Sequence, residues 1–410
     1  MAKLSELLRS RGYVYQFSSE TLEELTDGPK RTVYLGVDPT ADSIHVGNLV
    51  GYMLLRRFAD AGHKVILLIG GGTGMIGDPK PDVERPLLEV TEIERRSEKL
   101  RAQAEKLLGG IIVQKVNNAD WLTKLNLIEF LRDIGKHFTV NSLIKKDAIN
   151  ARMQSEEGIS YTEFSYPLLQ AYDFWHLHTA YGCDVQIGGS DQWGNIVAGV
   201  DLIRRKENGV AYALTLPLIT DKASGKKFGK SEGNAVWLDP EKTSPYQFYQ
   251  FWLNSSDESV EDFLKLFTLL SDEEITTVMQ AQQSAPGARA AQKKLAFEVT
   301  TLVHGSDEAQ SATRISEILF GEAGLDGIDV QKLAAVAPTT AVTVGTSIID
   351  ALVATGLASS KREARQFITD GAVTFNGEKV SDRPIDKSDF ATGAALLKRG
   401  KRNVSVLVLA

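Results

Sequence analysis

Arg31-Thr-Val-Tyr-Leu-Gly-Val37, the turn Asp38-Pro-Thr-Ala-Asp-Ser43, a helical pattern from about Gly47 to Ala61, and Lys64-Val-Ile-Leu-Leu-Ile69 together decide the fold. The first run has strand composition, and Gly62 stops the helix that follows it. Lys64–Ile69 is an unbroken apolar run after its first residue, as a parallel strand buried on both faces requires. Strand, helix and strand at this spacing form a βαβ unit, so the expectation is an α/β fold with a doubly wound parallel sheet.

The same alternation continues outward. Residues 164–182 read as a helix, Asp184-Val-Gln-Ile187 as a strand and 193–208 as a helix. From about Ser244 to Gly321 apolar residues recur at three- and four-residue spacing without strand signals, which predicts a helical region. Residues 321–346, rich in Gly, Ala, Thr and Val, read as a linker with short ordered pieces at most. Strand signals return at Ala372-Val-Thr-Phe375 and Val404-Ser-Val-Leu-Val-Leu409.

Composition narrows the function classes. The chain has 410 residues, 43% hydrophobic and 24% charged, which suits a folded protein of two or three domains. Val65–Gly77 is the longest uncharged apolar stretch and falls well short of the roughly 20 residues a membrane helix needs. The N-terminal MAKLSELLRS has no apolar signal core, and Cys183 is the sole cysteine, so no intramolecular disulfide can form. A cytoplasmic location and no membrane partner are expected. Net charge is −7, yet residues 345–410 hold 10 basic against 7 acidic residues. An acidic body with a basic tail suits a separate module that approaches RNA.

Gly72-Thr-Gly74-Met-Ile-Gly77 follows a strand and matches the dinucleotide fingerprint G-x-G-x-x-G. Asp78-Pro79 follows at once, which puts a carboxylate where phosphate needs positive potential and pushes the chain out of helical geometry. A nicotinamide enzyme is therefore set aside. The expectation is a glycine turn that lets a small ligand approach the backbone, with Asp78 facing a cation.

Two motifs are candidates for nucleotide chemistry, the first against the alternative of a structural role for its histidine. His45-Val-Gly47-Asn48 stands between the first strand and its helix, where free N–H groups offer positive potential to phosphates. Gly47 leaves room for an adenine ring, and Thr40 and His45 can donate to phosphate oxygens. The second motif, Lys226-Lys-Phe-Gly-Lys-Ser231, brings three lysines to one loop, which suits a triphosphate or an ordinary solvated surface. Tyr166, Gln170 and Asp173 share one helical face, either a solvated stripe or the lining of a polar pocket.

His45–Asn48 resembles the HIGH motif of class I aminoacyl-tRNA synthetases, and Lys227–Ser231 resembles their KMSKS loop. Tyr34–Asp38, Gly77–Pro79, Tyr166–Asp173 and Gly188-Gly-Ser-Asp-Gln-Trp-Gly-Asn195 resemble the tyrosyl-tRNA synthetases in particular. Ser359–Gly377 is similar to the S4 RNA-binding signature. The resemblance implies a Rossmann-like catalytic domain with a dimer-interface insertion over 1–231, then a helical domain over 232–320. A linker over 321–346 and a small α+β S4-like domain over 347–410 follow. The partners it implies are L-tyrosine, ATP, tRNA(Tyr) and a second copy of the chain, with 119–164 contributing to that interface. Magnesium would come bound to the ATP phosphates, with no protein metal site and no prosthetic group.

The resemblance also implies roles. Tyr34 and Asp173 would meet the tyrosine hydroxyl, Asp78, Tyr166 and Gln170 its ammonium group, and Gln192 its carboxylate. Asp38 and Asp191 would hold the ammonium group, the ribose or nearby polar atoms. ATP would meet Asp38, Thr40, His45, Gly47, Asn48, Asp191 and Lys230. Thr40, His45, Asn48, Lys227, Lys230 and Ser231 would serve the in-line attack of the tyrosine carboxylate on the α-phosphate. Lys361, Arg362 and Arg365 would contact RNA. Asn48 departs from the second histidine of HIGH, and Phe228-Gly229 departs from Met-Ser of KMSKS. Alternatives are tryptophanyl-tRNA synthetase, another nucleotidyltransferase, or a non-catalytic RNA-binding descendant of such an enzyme.

Overall fold

The computed structural model describes residues 3–80, 83–109, 111, 113–156, 158–220, 222–223, 225, 230–231, 234–321, 324–325, 327–400 and 403–410. At 147, 230, 231 and 234 only the backbone is described. The chain divides into two compact units, 1–243 with 255–291, and 244–254 with 292–410.

The first unit is built on a six-stranded sheet. Its strands are β1 (Gln16–Phe17), β2 (Thr32–Val37), β3 (Lys64–Ile69), β4 (Val113–Asn117), β5 (Val185–Gly189) and β6 (Tyr212–Leu216). Spatial order is β1-β6-β5-β2-β3-β4, parallel throughout except for β1, which pairs antiparallel with β6 at the edge. The expected βαβ unit is present, with the helix Val46–Asp60 between β2 and β3. Buried Val33, Tyr34 and Leu35 on β2 and the fully apolar face of β3 explain why these two strands read clearly from sequence. β4 is half exposed and β1 has two residues, so neither carries a burial pattern strong enough to announce it.

The unit boundary departs from the expected break at 231/232, because 255–291 belongs with the sheet. Three donors from distant segments satisfy the carbonyls at the end of the helix Val260–Phe267. Tyr13 Oη donates to Leu266 O at 2.6 Å, Arg57 to Thr268 O at 2.7 Å and Arg11 to Leu270 O at 2.6 Å. Helix ends leave such carbonyls without intrahelical partners, so these contacts bind the segment where it lies. No local sequence signal reports them.

The second unit is helical at first, with Pro245–Leu253, most of Ala290–His304, and Ser306–Phe320. A five-stranded sheet follows in the order β11-β10-β12-β13-β9, from β9 (Thr339–Val342), β10 (Val373–Phe375), β11 (Glu378–Lys379), β12 (Ala395–Arg399) and β13 (Asn403–Leu409). Leu396 and Val406 face a cluster with Ile315, Ile318, Leu319 and Leu333, while Leu397 and Leu407 face another with Ile348, Leu352 and Phe375. Both faces of this sheet are thus covered. Residues 321–346, expected to be a linker, contain the helix Val330–Val336 and β9, which pairs in parallel with β13. A pairing with a strand that far downstream leaves no trace in local composition. Among the described residues no helix is long and apolar enough to cross a membrane.

Candidate active site

Strand order reverses between β2 and β5, the place where open α/β sheets leave a crevice at their carboxyl ends. A cavity of about 760 Å³ opens there. Tyr34, Asp38, Thr40, His45, Gly47, Asn48, Asp78, Tyr166, Gln170, Asp173, Asp191 and Gln192 all line it. These residues come from β2, its following turn, the first turn of the helix Val46–Asp60, the glycine turn, the helix Tyr161–Tyr181 and the turn just after β5, so the sequence-separated candidates share one space.

At the inner end Asp173 is 2% exposed. It accepts from Asn118 Nδ2 at 2.8 Å and from Trp121 Nε1 at 2.7 Å. Burial pushes its carboxyl up to about 8, although both hydrogen bonds pull the other way. The Tyr34 ring packs edge-on to Phe174 at 5.3 Å, and its buried hydroxyl has no hydrogen-bond partner among the described residues. Gln170 Oε1 and Gln186 Oε1 are likewise buried and unpartnered among the described residues. Buried polar atoms are nearly always satisfied, so three orphans lining one cavity mark a place shaped for a polar ligand.

A second group of carboxylates lies around Asp78. Gln192 Nε2 donates to Asp78 at 2.8 Å and Asn195 Nδ2 at 3.2 Å. Burial raises the Asp78 carboxyl to about 6. Asn195 Oδ1 accepts from Lys146 Nζ at 3.1 Å, and burial lowers that ammonium to about 8. Tyr166 Oη donates to Asp38 at 2.7 Å, not to Asp78, and Thr73 Oγ1 donates to Asp38 at 2.6 Å. Burial also raises the Asp38 carboxyl.

Only a 3-10 turn, Thr73–Met75, follows β3, so no helix opens there to take a pyrophosphate, in line with the dismissal of the dinucleotide fingerprint. The expected approach of a ligand to the glycine backbone is what differs. The room left by its glycines is filled by the protein's own groups. A Cβ at Gly70 would stand 1.9 Å from Asp38 Oδ1, so glycine is needed for Asp38 to reach Thr73. Gly189, at the end of β5, likewise leaves space for the Asp191 carboxylate.

His45 caps the helix Val46–Asp60, its Nδ1 accepting from the Gly47 N–H at 3.0 Å. That bond leaves the proton of the neutral ring on Nε2. The segment just after the lysine loop lies alongside this turn. His45 bridges Trp237, Val46 N donates to Val236 O at 3.0 Å and Leu238 N to Ile44 O at 2.9 Å. Lys242 pairs with Asp42 at 2.7 Å, which holds the Asp42 carboxyl below its ordinary value. Lys227 lies outside the described residues, as do Lys226, Phe228 and Gly229. The backbone of β7 (Lys230–Ser231) pairs antiparallel with β8 (Asn234–Ala235). In the second unit, Lys361, Arg362 and Arg365 share the helix Lys361–Thr369, where Lys361 pairs with Asp350 at 2.6 Å.

Sequence reading missed Asn118, Trp121, Thr73, Asn195, Lys146 and Gln186. A usable signal existed for two of them: Asn118 follows directly after a strand, and Gln186 lies on β5 opposite Tyr34 of β2. Carboxyl ends of parallel strands are where such sheets place function.

Residues 26–321 match the family of class I tRNA synthetases (W and Y), and residues 329–407 match the C-terminal domain of SYY-like tyrosine–tRNA ligases. A tyrosine–tRNA ligase of Anaeromyxobacter dehalogenans is 47% identical over 421 residues, covering 99% of both chains. The chain belongs to the tyrosine–tRNA ligases. One from Staphylococcus epidermidis is also 47% identical, over 97% of both chains. The C-terminally truncated mitochondrial tyrosyl-tRNA synthetase of Aspergillus nidulans superposes with a TM-score of 0.70 at 32% identity, covering 76% of this chain and 93% of that one. A tryptophanyl-tRNA synthetase of Encephalitozoon cuniculi shares the fold, with a TM-score of 0.56 at 14% identity. Family membership decides the tyrosine reading over the tryptophan one and over a non-catalytic descendant. The expected order of a Rossmann-like domain, a helical region and a C-terminal domain with a small sheet is that of the family.

Proposed function

We propose that the cavity at the β2–β5 crevice activates tyrosine with ATP, and that the second unit holds tRNA(Tyr) for the transfer that follows. The observation that carries this reading is the pairing of His45 with Trp237, which sets the residues after the lysine loop against the turn that opens the helix Val46–Asp60. The tyrosine hydroxyl meets Asp173 and the orphan hydroxyl of Tyr34. Its ammonium group lies by Asp78, Gln170 and Tyr166, with Gln192 near its carboxylate. ATP lies over Gly47, with Asp38 and Asp191 toward the ribose or the ammonium group.

The tyrosine carboxylate is already a nucleophile, so the reaction needs no general base. Its oxygen attacks the α-phosphorus in line, the bond to the β-phosphate oxygen breaks, and pyrophosphate leaves. Thr40, His45 Nε2–H, the Asn48 amide, Lys227, Lys230 and Ser231 stabilise the charge that builds on the phosphate oxygens. Magnesium arrives as the counter-ion of the ATP substrate, held chiefly by its phosphates. A ribose hydroxyl of the tRNA end then displaces AMP from the adenylate. Lys361, Arg362 and Arg365 contact RNA phosphates, a salt-sensitive interaction.

The enzyme acts in the cytoplasm as a homodimer. Support for the dimer comes from exposed Leu127, Ile128, Leu131, Val140 and Tyr161, a concentration of apolar surface within 119–164. Replacing His45 and Lys230 separately with Ala tests the active-site reading. Tyrosine-dependent ATP–pyrophosphate exchange should fall at least about a hundredfold, as loss of one transition-state donor does, with tyrosine affinity little changed. Parallel loss of affinity and exchange would make both residues structural.

A further inference from the structure

Arg152 and Glu163 form an ion pair that the chemistry above does not use. Their side chains are 3% and 2% exposed, and Arg152 Nη1 lies 3.0 Å from Glu163 Oε2, though out of line for a hydrogen bond. A charge pair so fully removed from water carries a desolvation cost that mere packing would avoid. Its second set of contacts leads to the cavity. Glu163 Oε1 accepts the main-chain N–H of Arg85 at 3.1 Å, and Arg85 Nε donates to Asp78 O at 3.1 Å. Arg85 itself lines the cavity. Arg152 Nε is fixed in turn by Gly158 O at 3.1 Å, from a glycine with φ +69°.

The order of contacts is therefore Arg152, Glu163, Arg85, Asp78. Glu163 stands in the first turn of the helix that also carries Tyr166, Gln170 and Asp173, so one rigid element sets both the tyrosine lining and the attachment of Arg85. The guanidinium of Arg85 is a cation beside the carboxylates of Asp78 and Asp38, and Lys80 is a further cation that lines the cavity.

We propose that Glu163 is a positioning residue: its carboxylate fixes the backbone of Arg85 so that the guanidinium meets the phosphates of ATP, while Arg152 keeps that carboxylate aimed. This rests on the placement of ATP given above.

Two double variants separate positioning from stability. Arg152→Met with Glu163→Gln removes both charges but keeps an acceptor for the Arg85 N–H. Arg152→Met with Glu163→Met removes the acceptor too. The second should exchange pyrophosphate about tenfold more slowly than the first, the effect of one lost hydrogen bond, with a raised KM for pyrophosphate. Tyrosine affinity should be the same in both, and adding Arg85→Ala to the second should cost nothing further. Equal exchange by the two variants would overturn the proposal, as would a full additional loss from Arg85→Ala. Loss of tyrosine binding in both would make the pair purely structural and overturn it as well. The separate His45→Ala measurement judges the ATP placement itself, so normal exchange by Arg85→Ala alone would remove this inference and leave that reading standing.

Discussion

Asn118 Nδ2 donates a 2.8 Å hydrogen bond to the Asp173 carboxylate across 55 positions of sequence. The same amide reaches Thr73 Oγ1 at 2.8 Å, and Thr73 holds Asp38 at 2.6 Å. One asparagine thus links the carboxylate proposed for the tyrosine hydroxyl with the one proposed for the ammonium or ribose end.

Asn118→Ala should therefore weaken more than one contact. Removing a donor to a buried acceptor costs about 1–3 kcal/mol, so kcat/KM for tyrosine in pyrophosphate exchange should fall roughly fivefold to a hundredfold. Discrimination against phenylalanine should fall with it, because the carboxylate is no longer held in place. Unchanged discrimination would show that Trp121 alone fixes Asp173.

The buried carboxylates predict a pH dependence. Asp78 must be ionised to hold an ammonium group, and burial has raised it to about 6. Tyrosine affinity, measured by equilibrium dialysis, should therefore rise with pH through about 6 and level off above it, and Asp78→Asn should abolish that rise. Stability moves the other way. Asp173, raised to about 8 in the fold, binds its proton more tightly folded than unfolded. Its contribution is full below the unfolded value of 3.8 and is lost as pH rises through about 8. Asp173→Asn should gain stability relative to the parent over that window, read from urea midpoints.

The apolar surface within 119–164 predicts an oligomeric change. Leu131→Glu places a charge one helical turn from exposed Leu127 and Ile128, and sedimentation velocity should show dissociation to single chains. A species of unchanged mass would remove this surface from the proposed interface.

Ending the chain after residue 346 should not yield a clean catalytic fragment. It removes Leu396 and Val406 from the cluster containing Ile315, Ile318, Leu319 and Leu333. The exposed cluster should cause association visible by light scattering, whereas the expected linker at 321–346 would have tolerated the cut.

Local periodicity made β2, β3 and the helix between them readable, because buried strands and an amphipathic helix write their environment into composition. The shared face of Tyr166, Gln170 and Asp173 was readable from their spacing along one helix, but spacing alone left both a solvated stripe and a polar pocket open. Asn118 and Trp121 were not readable, since their roles depend on contacts with Asp173 that no short window contains. The docking of 255–291 through Arg11, Tyr13 and Arg57 is similarly hidden. Thr40, His45 and Asn48 stood out through their place between a strand and a helix, the resemblance gave them roles, and the structure adds the capping bond from Gly47 to His45.

The position of β9 has an effect on the order of assembly. It has one neighbour in its sheet, β13, and that neighbour comes late in the chain. Closing so long a loop is slow compared with helix formation, so Thr339–Val342 must wait, its amides solvated, while the helices on either side form first. During that interval the unpaired edge of β13 is open to strands of other molecules, and conditions that slow this closure favour aggregation over completion of the second unit.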